Sequence, residues 1–235
     1  MADLDRLFLH EELLLLGLKD DKGTFASGTN MTYGLGGAIL AELLLDRRIK
    51  VVTPKKTPLA EGLRSSKSGD PVIDECLRKI RDARKRASLQ TWVSRFVGIK
   101  RLKHRIAEGL VKRRILRVEE GKVLGIFSRT MYPEADPGPE RAILERLRRA
   151  IFGNATDIDP RTVALVALAH HSSVLKIVFD KKKLKERKAR IERIMNGDLS
   201  GKATAQAIEA MEAVQTAVMV AVILPTIIST TTMHH

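Results

Sequence analysis

The sequence predicts a mainly α fold: a single-domain helical bundle over residues 1–235, carrying a protruding β-hairpin and short strands. Three observations carry that expectation. Apolar residues recur at helical spacing through most of the chain, helix-start signals stand before several of those runs, and no Pro/Gly/Ser-rich linker divides the sequence. With 44% hydrophobic and 30% charged residues in 235, the composition supports a packed core under a solvated surface.

The elements follow in order. Leu4, Leu7, Phe8, Leu14, Leu15 and Leu18 predict a helix that is apolar on more than one face and therefore central, ended by a turn at Asp20–Gly23. From Met31 to Asp46, Tyr33, Leu35, Ile39, Leu40, Leu43 and Leu44 predict a second buried helix, and Ile49–Val52 a strand after it. Thr53–Asp70 is polar, with room for one or two short strands. Asp70 before Pro71 is an N-cap followed by a proline at the first helical position, opening a helix that carries Ile73, Cys76, Leu77 and Ile80. The same signal recurs at Asp159–Pro160, and Gly138–Pro139 opens a helix with Ile143, Leu144, Leu147 and Ile151. Trp92, beside Val93 and Phe96, reads as core in a further helix. Leu102–Leu116 is predicted helical. Leu116–Tyr132 is predicted to form a hairpin, with Glu120 and Gly121 between its limbs. A charged helix follows Lys181, then a turn at Asn196–Gly201 and an Ala-rich final helix from Lys202.

Charge narrows the function. Lys and Arg exceed Asp and Glu by 42 to 28, a net charge of +14, so a polyanionic partner is expected: nucleic acid, an anionic membrane or a phosphorylated headgroup. The one cysteine, Cys76, excludes an internal disulfide framework and suits a reducing compartment. The acidic start, Met1–Asp5, has no signal-peptide pattern, and the apolar run Ala217–Ile228 contains Pro225 and is short of the roughly 20 residues that cross a bilayer. A cytoplasmic protein is expected.

Basic residues concentrate in two stretches. Ile99–Arg117 holds Lys100, Arg101, Lys103, Arg105, Lys112, Arg113, Arg114 and Arg117 against Glu108, and Lys181–Arg193 holds eight basic residues against Glu186 and Glu192. Read as a helical pair three apart, Lys100 and Lys103 converge on one anion. The second stretch reads as a solvated helix face. A rival reading takes Leu102–Leu116 as the recognition helix and Glu119–Phe127 as the wing of a winged-helix DNA reader, although Glu119 and Glu120 at the wing would repel phosphates. The hairpin's apolar residues Val123, Leu124, Ile126, Phe127, Met131 and Tyr132 call for a partner: the protein's own helices, a membrane surface or another subunit.

Enzymatic signals are weak. Gly34, Gly36 and Gly37 start a dinucleotide-like pattern in which Ile39 occupies the third glycine position, and Gly201–Lys202 lacks the rest of a phosphate loop. Adjacent His170 and His171 point about 100° apart on a helix and cannot chelate one metal together. His10, Glu11 and Glu12 lack the second histidine of a zinc-protease helix. No catalysis, cofactor or metal is expected.

The order of several short motifs resembles one family. Leu13–Asp21 (LLLLGLKDD), Gly34–Leu44 (GLGGAILAELL), Arg47–Ile49, Asp74–Leu77 (DECL), Gln90–Trp92 (QTW), Arg105–Val111 (RIAEGLV) and Leu165–His170 (LVALAH) look like the Golgi phosphoprotein 3 family, collinear over nearly the whole chain. The resemblance implies a peripheral adaptor that binds phosphatidylinositol 4-phosphate on Golgi membranes and gathers glycosyltransferase tails. It places the headgroup pocket of the family, one tryptophan and three arginines, on Ser27, Gly36, Lys100 and Lys103, and the membrane or subunit hairpin on Leu124, Ile126 and Phe127. Lysine lacks the bidentate fork of arginine, and the tryptophan's aromatic wall is missing at Ser27. The basic N-terminal extension of eukaryotic members is also absent from this sequence, which points to a bacterial relative. The partners expected are anionic lipids, client membrane-protein tails and, through the hairpin, a second subunit. The location expected is the Golgi in a eukaryote or the inner face of the plasma membrane in a bacterium.

Overall fold

A computed structural model describes residues 6–19, 23–26, 30–54, 57–123 and 127–199. In chain order the elements are α1 (Leu9–Leu16), β1 (Leu18–Lys19), β2 (Thr24–Phe25), α2 (Met31–Leu45), β3 (Ile49–Val52), β4 (Leu59–Gly62), α3 (Pro71–Arg81), β5 (Ala87–Ser88), α4 (Leu89–Val97), α5 (Leu102–Lys112), β6 (Glu119–Val123), β7 (Phe127–Met131), α6 (Gly138–Phe152), α7 (Pro160–His171), α8 (Leu175–Val178), α9 (Lys181–Glu186) and α10 (Lys188–Met195). The fold is mainly α with small antiparallel sheets, as the apolar spacing predicts.

The centre is built on α1 and α2. Every residue of α1 is buried, and α2 is buried over most of its length, as helices apolar all round must be. Helices α2, α5, α6 and α7 pack against α1, while α3 and α4 pack against α2. Burying α1 also buries His10, Glu11 and Glu12, and buried charges need partners. Arg113 donates to Glu11 at 2.9 Å, Arg146 to Glu12 at 2.8 Å, and Arg161 to Glu42 at 2.7 Å, while the Leu9 amide donates to the other Glu42 oxygen at 2.6 Å. These pairs tie α1 and α2 to α6, α7 and the C-cap of α5. The residues that imitated half of a zinc-protease helix are thus fastenings of the core.

Local signals explain the helix starts. Asp70 accepts from the Ile73 amide at 2.7 Å and Asp159 from the Thr162 amide at 2.9 Å, each with a proline behind it. Helix α5 stops at Lys112, short of Leu116, because Arg114 turns left-handed (φ 62°) and its amide bonds back to Val111. The charged helix after Lys181 is two, α9 and α10, joined at Arg187. Arg187 donates to the Phe152 carbonyl at 3.1 Å and Arg190 to that of Ala150 at 2.8 Å, so part of this basic run caps the C-terminal carbonyls of α6 rather than facing water alone.

The β-structure is peripheral. Strands β3, β4 and β5 form a three-stranded antiparallel sheet, and β6 pairs with β7 from Glu119↔Met131 to Val123↔Phe127. That register corrects the sequence expectation about the turn: Gly121 faces Arg129 within the ladder, and the strands are joined through residues 124–126. Glycine and two glutamates looked like turn chemistry, yet strand pairing is decided by the longer alternation around them. Glu119 and Glu120 therefore lie at the base of the hairpin. Leu124, Ile126 and Ser27 lie outside the described residues, as does the final helix expected from Lys202.

Candidate functional site

The junction of α4 and α5 is where the two lysines fall. Helix α4 ends at Gly98, Ile99 is buried, and the Leu102 amide returns to the Ile99 carbonyl at 3.2 Å, so the chain reverses over Lys100 and Arg101. Arg101 adopts the left-handed conformation (φ 56°, ψ 31°) as the N-cap of α5. Lys100 is therefore exposed in a tight turn and Lys103 lies in the first turn of α5, a correction to their reading as two residues of one helical face.

The structure sorts the basic stretch into engaged and free cations. Arg101 pairs with Glu108 at 3.2 Å, Arg105 with Glu75 at 2.6 Å, Arg113 with Glu11 at 2.9 Å and Arg117 with Glu119 at 2.8 Å. Among the described residues no carboxylate pairs with Lys100 or Lys103. Lys103 is instead half-buried, its ammonium 5.6 Å from the centre of the Phe25 ring, and burial lowers its pKa. An ammonium stripped of part of its water and given no carboxylate is stabilised by an incoming anion.

Phe25 is the residue that motif matching missed. It lies two positions before Ser27, and its ring is held edge-on to His104 at 5.5 Å and beside Tyr132 at 6.1 Å. His104 Nδ1 and the Tyr132 hydroxyl are 2.9 Å apart. Burial, then the charge of Arg101, lowers the His104 pKa, so its ring is neutral near pH 7 and adds no charge. Gly23 sets this cluster in place: it takes φ +55°, and a Cβ there would collide with the backbone of Tyr132 and Pro133. Its carbonyl accepts from the Tyr132 amide at 2.8 Å, fastening the β1–β2 turn to the end of β7. An aromatic wall thus stands beside Lys103, supplied by β2.

Gly36 is elsewhere. It is buried in α2, where a Cβ would stand 3.1 Å from the Val93 carbonyl oxygen and 3.4 Å from side-chain atoms of Val93 and Val97. Its role there is the close approach of α2 and α4, and it presents no group to a ligand. Of the four matched positions, Lys100 and Lys103 are brought to one junction, Gly36 is packed behind it, and Ser27 is not described.

No helix among the described residues is long and apolar enough to cross a membrane. A family model described as Golgi phosphoprotein 3 (GPP34) matches residues 9–211. The chain is also similar to Vacuolar protein sorting-associated protein 74 of Eremothecium gossypii, with 30% identity over 204 residues, 73% of this chain and 61% of that protein. It spans less than two thirds of that relative's length. The match of the family model across the helical core and the α4–α5 junction establishes that this chain belongs to the Golgi phosphoprotein 3 family.

Proposed function

We propose that this protein is a peripheral membrane adaptor that holds a phosphorylated lipid headgroup at Lys100 and Lys103, with the Phe25 ring as the apolar wall. The observation that carries this reading is the half-buried Lys103 ammonium, set on an aromatic face with no carboxylate partner among the described residues. Family membership supports phosphatidylinositol 4-phosphate as the headgroup and membrane-protein tails as clients. The exposed Lys100 and half-buried Lys103 would give attraction with little positional reading, since lysine is a point charge where arginine is a fork. The hairpin residues Leu124, Ile126 and Phe127 insert below the headgroups or meet a second subunit, and the remaining surface cations add diffuse attraction to anionic lipid. Binding involves no covalent chemistry, and the membrane is that of the Golgi in a eukaryote or the inner face of the plasma membrane in a bacterium.

The test is a vesicle flotation panel beside a duplex-DNA shift assay. Anionic vesicles should carry the protein and zwitterionic vesicles should not. Lys100→Ala with Lys103→Ala should weaken binding roughly thirtyfold, at about 1 kcal/mol for each cation at the surface. Equal flotation with both lipids would overturn the reading, and tight sequence-dependent DNA binding would replace it with the winged-helix alternative.

A further inference from the structure

We propose a second anion site, separate from Lys100 and Lys103, that accepts a phosphate monoester in the cavity between the C-terminal end of α3, the loop 82–86 and α4. The cavity has a volume of about 680 Å³ and is lined by Lys79, Ala83, Arg84, Lys85, Trp92 and Arg95. Cations dominate its wall, and no carboxylate lines it among the described residues.

The charges there are poorly answered by the protein itself. Lys79 is shared with Glu75 at 3.6 Å, on its own helix, and Arg95 lies with its guanidinium carbon 4.6 Å from the centre of the Trp92 ring. Arg84 and Lys85 have no ion pair among the described residues. Asp82, next to them in sequence, is the C-cap residue of α3 and does not line the cavity. Like charges gathered on one concavity repel one another, and a bound dianion reverses the sign of that interaction. The negative end of the α3 dipole also falls here, and it is offset by Arg78, Lys79 and Arg81 in the last turn.

Trp92 supplies the second observation. It is only 2% exposed, and its indole Nε1–H is buried with no hydrogen-bond partner. Buried indole donors are ordinarily satisfied, so a side chain that lines a cationic cavity and leaves its own donor unpaired marks polar capacity that the fold does not use. Two arginine forks and two ammonium groups line the cavity as donors, with no side-chain acceptor among the described lining residues. A phosphate monoester, doubly charged and with three terminal acceptor oxygens, uses more of those donors than a carboxylate does. The cavity is also larger than a bare phosphate needs, leaving space for the group that the phosphate esterifies. That phosphate belongs either to a soluble metabolite or to a lipid headgroup.

Trp92 is the single tryptophan of the chain, so its indole N–H resonance and its fluorescence are unambiguous signals from a residue that lines this cavity. The full chain is titrated with glycerol 3-phosphate, with glycerol as control, and in parallel with phosphatidylcholine vesicles with and without phosphatidic acid. A saturable shift of the indole resonance with glycerol 3-phosphate assigns a soluble phosphate monoester. A shift only with phosphatidic acid vesicles assigns a lipid headgroup. In either case Arg84→Ala with Lys85→Ala, both on an exposed loop, should weaken the response at least tenfold. Lys100→Ala with Lys103→Ala should leave the glycerol 3-phosphate response unchanged, and the phosphatidic acid response too at vesicle concentrations that bind the variant fully, which separates this site from the headgroup reading above. An indole resonance unmoved in both arms, or one that shifts equally in the Arg84/Lys85 variant, overturns the proposal.

Discussion

At the scale of single residues, what a side chain does here is decided by its neighbours more than by its type. Gly36 stands where the family resemblance places a headgroup-binding arginine, yet its Cα faces Val93 and Val97 across a helix crossing. Gly36→Arg should therefore leave lipid affinity no better and cost about 1–3 kcal/mol of stability through overpacking, read as a lowered midpoint in urea denaturation. His10 shows the same dependence. Burial opposes its charge, but Asp70, with Nε2 3.5 Å from Oδ2, and the charges of Glu11 and Glu42 outweigh burial and raise its pKa above 6.5. Burial likewise opposes the charge on Asp70, and contact with His10 and the Ile73 amide overcomes it, holding that carboxyl below 3.8. A raised histidine adds stability that is complete below 6.5 and is lost as pH rises through the folded value. A lowered carboxyl adds stability above 3.8 and loses it as pH falls through the folded value. The Tm difference between the protein and His10→Phe should thus be greatest between pH 3.8 and 6.5 and shrink on both sides. A difference that grows above neutrality would show that His10 is held neutral.

At the scale of elements, the hairpin and the α4–α5 turn carry the binding roles proposed above. Strand β7 is followed directly by buried Tyr132, whose backbone is fastened to Gly23, so the base of the hairpin is anchored in the core while its far end is joined through residues 124–126. A charge at the far end should then disturb association without disturbing the fold. Phe127→Asp is expected to reduce flotation with anionic vesicles, or to change the oligomer seen by light scattering, with Tm altered by no more than a few degrees. Loss of the thermal transition would instead make Phe127 part of the core.

At the scale of the molecule, the net charge of +14 is distributed into three uses. Arg113, Arg146 and Arg161 neutralise buried acids, Arg187 and Arg190 cap α6, and Lys100 and Lys103 have no carboxylate partner among the described residues. Diffuse attraction from many exposed cations and a weakly discriminating pair of lysines together predict salt-sensitive binding with poor headgroup selectivity. Phosphatidylinositol 4-phosphate should be preferred over other anionic lipids of matched charge density by less than about tenfold, under ~1.4 kcal/mol. Vesicle titrations at two salt concentrations measure both effects, and a much larger preference would mean that other side chains read the inositol ring.

The sequence alone determined the helical class, the buried character of α1 and α2, and the starts of α3 and α7, because apolar spacing and Asp-Pro caps are local signals that act within a few residues. It also carried the family, through motifs in order along the chain. Only the tertiary structure decided which basic residues are free, since the partners of Arg105, Arg113 and Arg161 stand 30, 102 and 119 positions away. It alone brought Phe25 to Lys103 and buried Gly36 between helices. Ion pairing, ring contact and helix crossing act between residues close in space and remote in sequence, and no spacing rule along the chain records them.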